Sequence, residues 1–266
     1  MTTNFSVTVV LPTYNEEESL KAFIPQLEKV LSKFDYEIIV VDDDSSDNTA
    51  NVVINYSEKN YRIRLIQRNI NPSLPMSIYE GVKNANKEFV MWLDADGSMD
   101  ANSVLKLIEN CSKDINKVYV GSRFVEGGGY KGRESIGSFK LKKFLNSILN
   151  SEDALLAVFL SLVFNRFLSF LLKIDVKDLT SGFIIGNKNF FKKEMFTHYV
   201  YGEYFINVLT SLHLKNIAIH EIGYFCKPRL YGESKTSTNI FRLVSLTSPY
   251  IKTALNSRKL INENIR

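Results

Sequence analysis

Two acidic residues follow an apolar run in FVMWLDADGSMD, residues 89–100. Asp94 and Asp96 are one residue apart at the end of a predicted buried strand, so their side chains project into one small volume. Two such carboxylates repel each other, and each raises the pKa of its neighbour. A cation that prefers oxygen ligands, Mg²⁺ or Mn²⁺, relieves the repulsion and keeps positions open for phosphate oxygens. The pair therefore predicts a metal site that meets a diphosphate.

The same residues allow two other interpretations of this stretch. Ser98 and Asp100 are residue types that cap helix N-termini, and the cluster would then only begin a helix. The stretch D-x-D-G-S after an apolar strand also resembles the first motif of haloacid-dehalogenase-type phosphatases, with Asp94 as nucleophile and Asp96 as general acid. That family usually carries the motif near its N-terminus, whereas three predicted strands precede it here.

The elements that position these residues alternate along the first half of the chain. Strands are predicted at residues 7–11, 37–41, 63–67, 89–93 and 118–121, and helices at 16–33, 47–56, 74–86 and 101–111. This alternation predicts an α/β fold with a mainly parallel sheet flanked by helices. Ligands of such sheets bind beyond the carboxyl ends of the strands. Polar, acidic or glycine-rich clusters follow four of the strands: LPTYNEEE, VVDDDSSDNT, LDADGSMD and GSRFVEGGGYKGR.

Composition narrows the classes of function. The chain has 266 residues, enough for one large α/β domain with or without an appendage. A net charge of +4 is too small to predict nucleic-acid binding. Cys111 and Cys226 lack metal-like spacing, so we expect no disulfide framework or zinc site, and a reducing cytoplasm. The first residues are typical of a strand and not of a signal peptide.

An apolar segment, ALLAVFLSLVFNRFLSFLL, lies in a Leu- and Phe-rich region. Polar residues recur in it every four positions: Ser161, Asn165, Ser169 and Lys173. The pattern predicts either a core helix that shows a narrow polar face to solvent or a helix at a membrane surface. Five upstream cations favour the second: Lys131, Arg133, Lys140, Lys142 and Lys143. Asn165 and Arg166 disfavour a spanning helix.

Several motifs resemble a known family. VVLPTYNEEESL, EIIVVDDDSSDNT and FVMWLDADGSMD, in this order and spacing, resemble family-2 inverting glycosyltransferases of GT-A fold. VYVGSRFVEGGGYKGR, VKDLTSGFIIGNKNFF, YGEYFINVLTSLHLK and PRLYGESKTS are similar to the polyprenyl-phosphate sugar transferases, which include the dolichol-phosphate mannosyltransferases. The resemblance implies a GT-A catalytic domain at residues 1–238, with a helical, membrane-facing insertion at about 134–172, and a tail of amphipathic helices at 239–266.

The resemblance also implies roles for single residues. Pro12, Tyr14 and Glu16 match the segment that holds the nucleoside, and Val41 and Asp43 match the strand end that reads base and ribose. The matches to the donor diphosphate site are Asp94, Ala95, Asp96, Arg229 and Lys235, with the metal at Asp94 and Asp96. The catalytic set is Asp94, Asp96 and Arg123, the last lying near the reacting phosphates.

The implied activity moves a hexose from a nucleotide-diphosphate sugar to a polyprenyl phosphate, such as dolichyl or undecaprenyl phosphate, with Mg²⁺ or Mn²⁺. The resemblance also implies that the protein is cytoplasmic and binds peripherally at the cytoplasmic face of the membrane. One alternative is a hydroxyl acceptor on a cell-surface glycan, which needs a carboxylate base that the sequence does not single out. A second is a catalytically silent protein that only binds nucleotide sugars.

Three features depart from the family pattern. Ser98 stands where many polyprenyl-phosphate members carry Gln, and Asp44 stands where Gly or Asn is commoner. Extra residues at about 134–155 separate the glycine-rich loop from the TSGF turn. We therefore expect the acceptor side to differ most from the family.

Overall fold

The computed structural model describes residues 5–130, 133–134, 153–231 and 240–264. Its strands are β1 (Ser6–Thr13), β2 (Asp35–Asp42), β3 (Ile63–Gln67), β4 (Phe89–Trp92), β5 (Val118–Ser122), β6 (Gly129–Tyr130), β7 (Arg133–Glu134), β8 (Ile184–Asn187), β9 (Ile219–Gly223) and β10 (Phe225–Cys226). Its α-helices are α1 (Glu17–Leu31), α2 (Thr49–Lys59), α3 (Leu74–Lys83), α4 (Ala101–Cys111), α5 (Asp153–Leu172), α6 (Tyr204–Leu214) and α7 (Ile240–Asn264). Single 3₁₀ turns lie at Lys188–Phe190 and Lys193–Met195.

Seven strands form one sheet in the order β3-β2-β1-β4-β8-β5-β9. All neighbouring pairs are parallel except those of β8, which is antiparallel to β4 and to β5. The chain moves outward from β1 to β3 and then returns to place β4 on the other side of β1. The direction of winding therefore reverses between β1 and β4, and such switch points are where sheets of this kind bind ligands. The predicted mainly parallel sheet is confirmed, with β8 as an unpredicted exception.

Helices cover both faces of the sheet, because the strands are apolar on both sides. Residues of α1, α2 and α4, such as Leu20, Val52 and Val104, pack in one hydrophobic cluster with β1 and β2. The opposite cluster contains residues of α3 and α5–α7, such as Ile78 and Leu168. Strands that are buried on both faces have continuous apolar sequences. This explains why these strands could be predicted from the sequence.

Helix α5 presents a different face to solvent from the one its polar stripe predicts. Asn165 is fully buried, whereas Val163, Phe167 and Phe170 are exposed, the last at 84% of its surface. The Asn165 amide donates to the Ser161 carbonyl and accepts the backbone N–H of Leu179. The interpretation of a core helix that shows a polar face to solvent is therefore wrong. The buried amide is satisfied inside the protein, and apolar side chains face outward.

The C-terminal helix α7 packs against the same layer as α5. Ala254 and Ile261 are buried in the shared hydrophobic cluster, and the rings of Tyr250 and Phe164 meet edge to face at 6.1 Å. The division into a catalytic domain, an insertion and a tail stays a prediction, since much of the predicted insertion lies outside the described residues. Within the described part of the chain, no helix is long and apolar enough to cross a bilayer.

Candidate active site

An open cleft lies beyond the carboxyl ends of β1, β2 and β4. Its lining residues are Pro12, Thr13, Tyr14, Glu16, Asp43, Leu74, Ser77, Asp94, Ala95, Asp96, Tyr201 and Arg229. The cleft thus sits at the switch point and contains most of the residues that the sequence singled out.

The acidic pair stands at the end of β4. Asp94 is exposed to the cleft, whereas Asp96 is only 4% exposed. Gly97 has φ +74°, and an added Cβ there would lie 2.5 Å from Leu230, so the turn after Asp96 requires glycine. The turn lets the backbone N–H of Ser98 donate to Asp96 Oδ1 at 2.9 Å. Ser98 therefore contributes to the site through its backbone N–H.

The charge of the cleft is unbalanced. Of the described residues that line it, four are carboxylates and one, Arg229, is a cation. The pKa of Asp94 is raised to about 7, first because the cleft walls desolvate it and then because Asp96 lies beside it; Arg229 partly opposes this. An anionic ligand would meet repulsion here unless a cation entered with it.

The acidic pair fits Mg²⁺ or Mn²⁺ that is completed by a ligand. Among the described residues, no group of three or more His, Cys, Asp or Glu side chains could enclose a metal ion. Two carboxylates, with remaining positions filled by phosphate oxygens and water, are the usual protein share of a magnesium site.

Arg229 reaches the acidic pair because the segment that carries it is anchored on both sides to the loop after β4. The backbone N–H of Lys227 donates to the Ser98 carbonyl at 2.9 Å, and that of Leu230 donates to the Asp96 carbonyl at 3.0 Å. Between these bonds, Arg229 Nε lies 3.1 Å from Asp96 Oδ2. The predicted loop cation is thus in the cleft, whereas Lys235 lies outside the described residues.

Asp43 forms the other end of the cleft. It pairs with Arg68 and accepts the backbone N–H of Ser73 at 2.6 Å, and Arg68 also donates to Ser77 Oγ at 2.7 Å. Desolvation raises the pKa of Asp43, while the Ser73 and Arg68 contacts oppose it. Sequence reasoning missed Arg68 and Ser77, since neither follows an acidic or glycine-rich motif.

Val41 and Asp44, at the end of β2, were both singled out from the sequence, and the structure explains each of them. The side chain of Val41 is fully buried in the core and does not line the cleft; its carbonyl accepts the Thr13 hydroxyl at 3.2 Å. Asp44 has φ +65°, in the left-handed region that favours Gly and Asn. Asp is among the next best tolerated residues there, which explains the departure from the family pattern.

The loops after β1 and β2 are bonded to each other, and this fixes Tyr14 and Glu16. Asn15, with φ +56°, donates its backbone N–H to Ser45 Oγ at 2.8 Å and accepts that of Ser46 through its side chain. The backbone N–H of Glu16 donates to Thr49 Oγ1 at 2.9 Å. The two loops therefore form one rigid wall of the cleft.

Arg123 is held by a buried network instead of lining the cleft. Its Nε and Nη2 each lie 2.8 Å from the carboxylate of Asp178, and Nη2 also donates to Thr180 Oγ1. Asn165 of α5 donates to the same hydroxyl at 2.9 Å. Burial tends to lower the pKa of Arg123, but Asp178 outweighs it and keeps the pKa well above its usual value. The charge of Arg123 still acts on Asp94.

Tyr201 is the main cleft residue that the sequence did not reveal. It lies in a loop before α6 and is 52% exposed. Thr13, Leu74 and Ser77 also line the cleft without having been predicted. The available signal was the YGEYF motif, whose position matched the family but whose residues had no assigned role.

Solved structures share this architecture. Glucosyl-3-phosphoglycerate synthase from Mycobacterium tuberculosis has a TM-score of 0.60 with 14% sequence identity, covering 96% of this chain and 80% of that one. A complex of the same enzyme with Mn²⁺, UDP and glucosyl-3-phosphoglycerate has a TM-score of 0.59 with 16% identity and the same coverage. At this identity the likeness shows the fold, and the predicted GT-A fold is confirmed.

Curated relatives match about half of this chain. Dolichol-phosphate mannosyltransferase from Pyrococcus furiosus is 36% identical over 122 residues, 46% of this chain and 34% of the relative. A dolichyl-phosphate beta-glucosyltransferase from Trichomonas vaginalis is 33% identical over 149 residues, 52% of this chain and 43% of the relative. Poly-beta-1,6-N-acetyl-D-glucosamine synthase from Staphylococcus epidermidis is 34% identical over 111 residues, 41% of this chain and 26% of the relative. The chain thus spans less than half the length of these relatives.

A sequence profile covers a larger part of the chain. The profile of glycosyl transferase family 2 matches residues 8–195, which include most of β1, all of β2 to β8 and the acidic pair. The match covers most of the chain. It favours the glycosyltransferase interpretation of the D-x-D pair over the phosphatase interpretation. The chain belongs to glycosyl transferase family 2.

Proposed function

We propose that this protein is a metal-dependent inverting glycosyltransferase that moves a hexose from a nucleotide-diphosphate sugar to a polyprenyl phosphate. The observation that carries the proposal is the acidic pair with Arg229 at the switch point of a family-2 fold. Together these supply carboxylate ligands and a cation at the place where a diphosphate would bind.

The donor lies along the cleft from Asp43 to the acidic pair. Asp43, fixed by Arg68 and Ser73, faces the base and ribose. Asp94 and Asp96 would hold Mg²⁺ or Mn²⁺, which when bound neutralises charge on the diphosphate leaving group. UDP and Mn²⁺ in the complex of the Mycobacterium tuberculosis enzyme support this kind of donor. Arg229 turns from Asp96 to the phosphates and stabilises the charge that develops there.

The partners of the cleft carboxylates support a phosphate acceptor. Asp43 is bound by Arg68, Glu16 lies 3.8 Å from Arg229, and Asp94 and Asp96 are the metal pair. Among the described lining residues, no further carboxylate remains to deprotonate a hydroxyl. A phosphate acceptor is already an anion and needs no strong base. The names of the Pyrococcus furiosus and Trichomonas vaginalis relatives also support a polyprenyl-phosphate acceptor.

Arg123 would position that phosphate. Its guanidinium is fixed by Asp178 and Thr180. Arg123 follows β5, which runs in the same direction as β4, so it lies at the same edge of the sheet as the acidic pair. A guanidinium fixed there would orient an anion for attack on the anomeric carbon from the side opposite the diphosphate.

The exposed apolar face of α5 supports contact with a membrane surface. Val163, Phe167 and Phe170 point outward with Arg166 among them, as in a helix that lies in the interface of a bilayer. The predicted upstream cations Lys131, Lys140, Lys142 and Lys143 lie outside the described residues. We place the protein at the cytoplasmic face of a membrane, where a polyprenyl phosphate would be within reach.

A transfer assay tests the proposal. Purified protein is incubated with Mn²⁺, a panel of labelled UDP-, GDP- and CDP-sugars, and either undecaprenyl or dolichyl phosphate in detergent. We expect label in the organic phase with one donor, abolished by chelator and by Asp94→Ala. Transfer only to glycan hydroxyl acceptors would support the alternative acceptor. Absence of transfer to every acceptor, despite donor binding, would support the catalytically silent alternative.

A further inference from the structure

We propose that Tyr201 is the residue against which the transferred sugar packs, and that it helps to select the sugar. This inference rests on the proposed function, since it concerns the sugar of the same donor. The side chain lines the cleft and is 52% exposed, so a ligand can reach its ring and its hydroxyl.

The position of Tyr201 along the cleft identifies what it would touch. A nucleotide sugar that extends from Asp43 to the acidic pair must place its hexose beyond that pair, on the side away from β2. Tyr201 lines the cleft together with Asp94 and Asp96. Three residues after it, the Tyr204 hydroxyl accepts the indole N–H of Trp92 in β4 at 2.9 Å. The loop that carries Tyr201 is therefore tied to the end of β4, which the acidic pair follows.

Contacts of the neighbouring Tyr250 place Tyr201 on the acceptor side. Its hydroxyl lies against Gly202, and its ring meets that of Phe164 in α5 edge to face at 6.1 Å. The next residue of α5, Asn165, donates to the Thr180 hydroxyl that also accepts from Arg123. These contacts link the Tyr201 loop to the Arg123 network, so a sugar held by Tyr201 would lie between the diphosphate and the guanidinium that would orient the acceptor.

The loop that carries Tyr201 is held in place from three directions. The Glu203 carboxylate accepts the backbone N–H groups of Val200 and Tyr201, at 3.0 and 3.2 Å. Gly202 packs against Tyr250 of α7 so closely that an added Cβ would lie 2.2 Å from its hydroxyl. On the donor side, Ser73 Oγ donates to the Tyr199 carbonyl at 3.2 Å. A wall fixed in this way can discriminate between ligands by shape.

The chemistry of tyrosine suits a hexose. The ring offers a flat apolar surface to the C–H face of a pyranose, and the hydroxyl can both donate to and accept from sugar hydroxyl groups. Glu203 is 7% exposed and bonded to two backbone N–H groups, so its role is to position Tyr201 and not to act as a base.

The test separates binding of the sugar from binding of the nucleotide. Calorimetry with Mn²⁺ gives dissociation constants for UDP and UDP-glucose, and for GDP and GDP-mannose, and the pair that binds the wild type is then used. We expect Tyr201→Leu to lower the affinity for the nucleotide sugar by about tenfold relative to the affinity for the nucleoside diphosphate. Tyr201→Phe should lower it less. Tyr14→Leu, on the nucleoside wall, should weaken both ligands equally.

Equal loss of both ligands in Tyr201→Leu, or no loss of either, would overturn the inference. The unfolding midpoint of the variant should stay near that of the wild type, because the side chain is half exposed. If the wild-type protein binds neither pair and no CDP-sugar, the proposed donor site itself is wrong. This outcome differs from a wild type that binds and a variant that does not discriminate.

Discussion

Arg229 Nε lies 3.1 Å from Asp96 Oδ2, and Ser98 donates its backbone N–H to the other oxygen of the same carboxylate. Both oxygens of Asp96 therefore have partners within the protein, whereas Asp94 is open to the cleft. A cation that used both carboxylates would have to displace the guanidinium, and a diphosphate would give the guanidinium a new partner. Metal and nucleotide are thus expected to favour each other's binding.

Replacing Arg229 should uncouple the two ligands. In Arg229→Gln, the affinity for Mn²⁺ without nucleotide should rise by about fivefold or more, because no guanidinium competes for Asp96. The affinity for UDP or GDP with saturating Mn²⁺ should fall, because a cation on the diphosphate is lost. Mn²⁺ binding is measured by electron paramagnetic resonance of the free ion, and nucleotide binding by calorimetry.

Lys227→Gln is the matched control for this experiment. Lys227 belongs to the same segment, but its ammonium pairs with Asp100 and not with the acidic pair. Its Mn²⁺ affinity should equal that of the wild type. An increase of the same size in both variants would mean that the effect is general electrostatics and not competition for Asp96.

Arg123→Lys should separate acceptor chemistry from donor binding. Lysine keeps the charge but cannot make the two-pronged contact with Asp178. We expect sugar transfer to fall by about 100-fold, because the acceptor phosphate is no longer oriented. The dissociation constant of the nucleoside diphosphate should not change. If donor binding fell as much as transfer, Arg123 would belong to the donor site instead.

The apolar face of α5 should control binding to lipid. In Phe167→Ser with Phe170→Ser, sedimentation with vesicles of phosphatidylcholine and phosphatidylglycerol should be lost, because the side chains that would enter the interface are removed. The unfolding midpoint should hardly change, since both residues are exposed. Leu168→Ala is the contrasting variant: it is fully buried and should lose about 2–5 kcal/mol of stability. Unchanged sedimentation of the double variant would contradict the membrane assignment.

The buried carboxylate of Glu37 should make the free energy of unfolding depend on pH in the acidic range. Its oxygens accept from Thr8 Oγ1 at 2.7 Å, from Arg64 Nη1 at 3.0 Å and from both nitrogens of Asn86. Burial alone would raise the pKa of Glu37, but these hydrogen bonds outweigh it and lower the pKa below 4.5. A lowered folded-state pKa contributes stability that is present above 4.5 and lost as the pH falls through the folded value.

Glu37→Gln tests this assignment, because the amide nitrogen would face a donor. Urea unfolding at pH 7 should show a loss of about 1–3 kcal/mol, and the difference from wild type should shrink below pH 4. A difference that stays constant across this range would mean that the ionised form of Glu37 does not stabilise the fold.

Much of the sheet could be predicted from the sequence, since its strands are buried on both faces and read as apolar runs. β3 and α4 have the predicted bounds, and the acidic pair follows β4 as expected. β8 was missed because Ile184–Asn187 is short and its antiparallel pairing depends on contacts that are distant in the chain. Local patterns carry no information about such pairing.

The errors concern side chains whose role depends on tertiary contacts. Asn165 was placed on a solvent-facing stripe, but it bonds Leu179 and Thr180 inside the protein. Periodicity shows that two faces of a helix differ, and does not show which of them faces inward when an amide can be satisfied there. Tyr201 was missed because a single tyrosine in a loop has no distinguishing sequence pattern. Only the folded structure brings it to the same cleft as Asp94.

Thermal unfolding with UDP-, GDP- and CDP-sugars, each with Mn²⁺ and with chelator, tests whether Asp94 and Asp96 bind a nucleotide sugar together with a divalent cation. One nucleotide class should raise the unfolding midpoint of the wild type by several degrees with Mn²⁺, as expected for a ligand well above its dissociation constant. The increase should vanish with chelator and in Asp94→Ala. No increase with any donor, or an equal increase in Asp94→Ala, would contradict the assignment of the site.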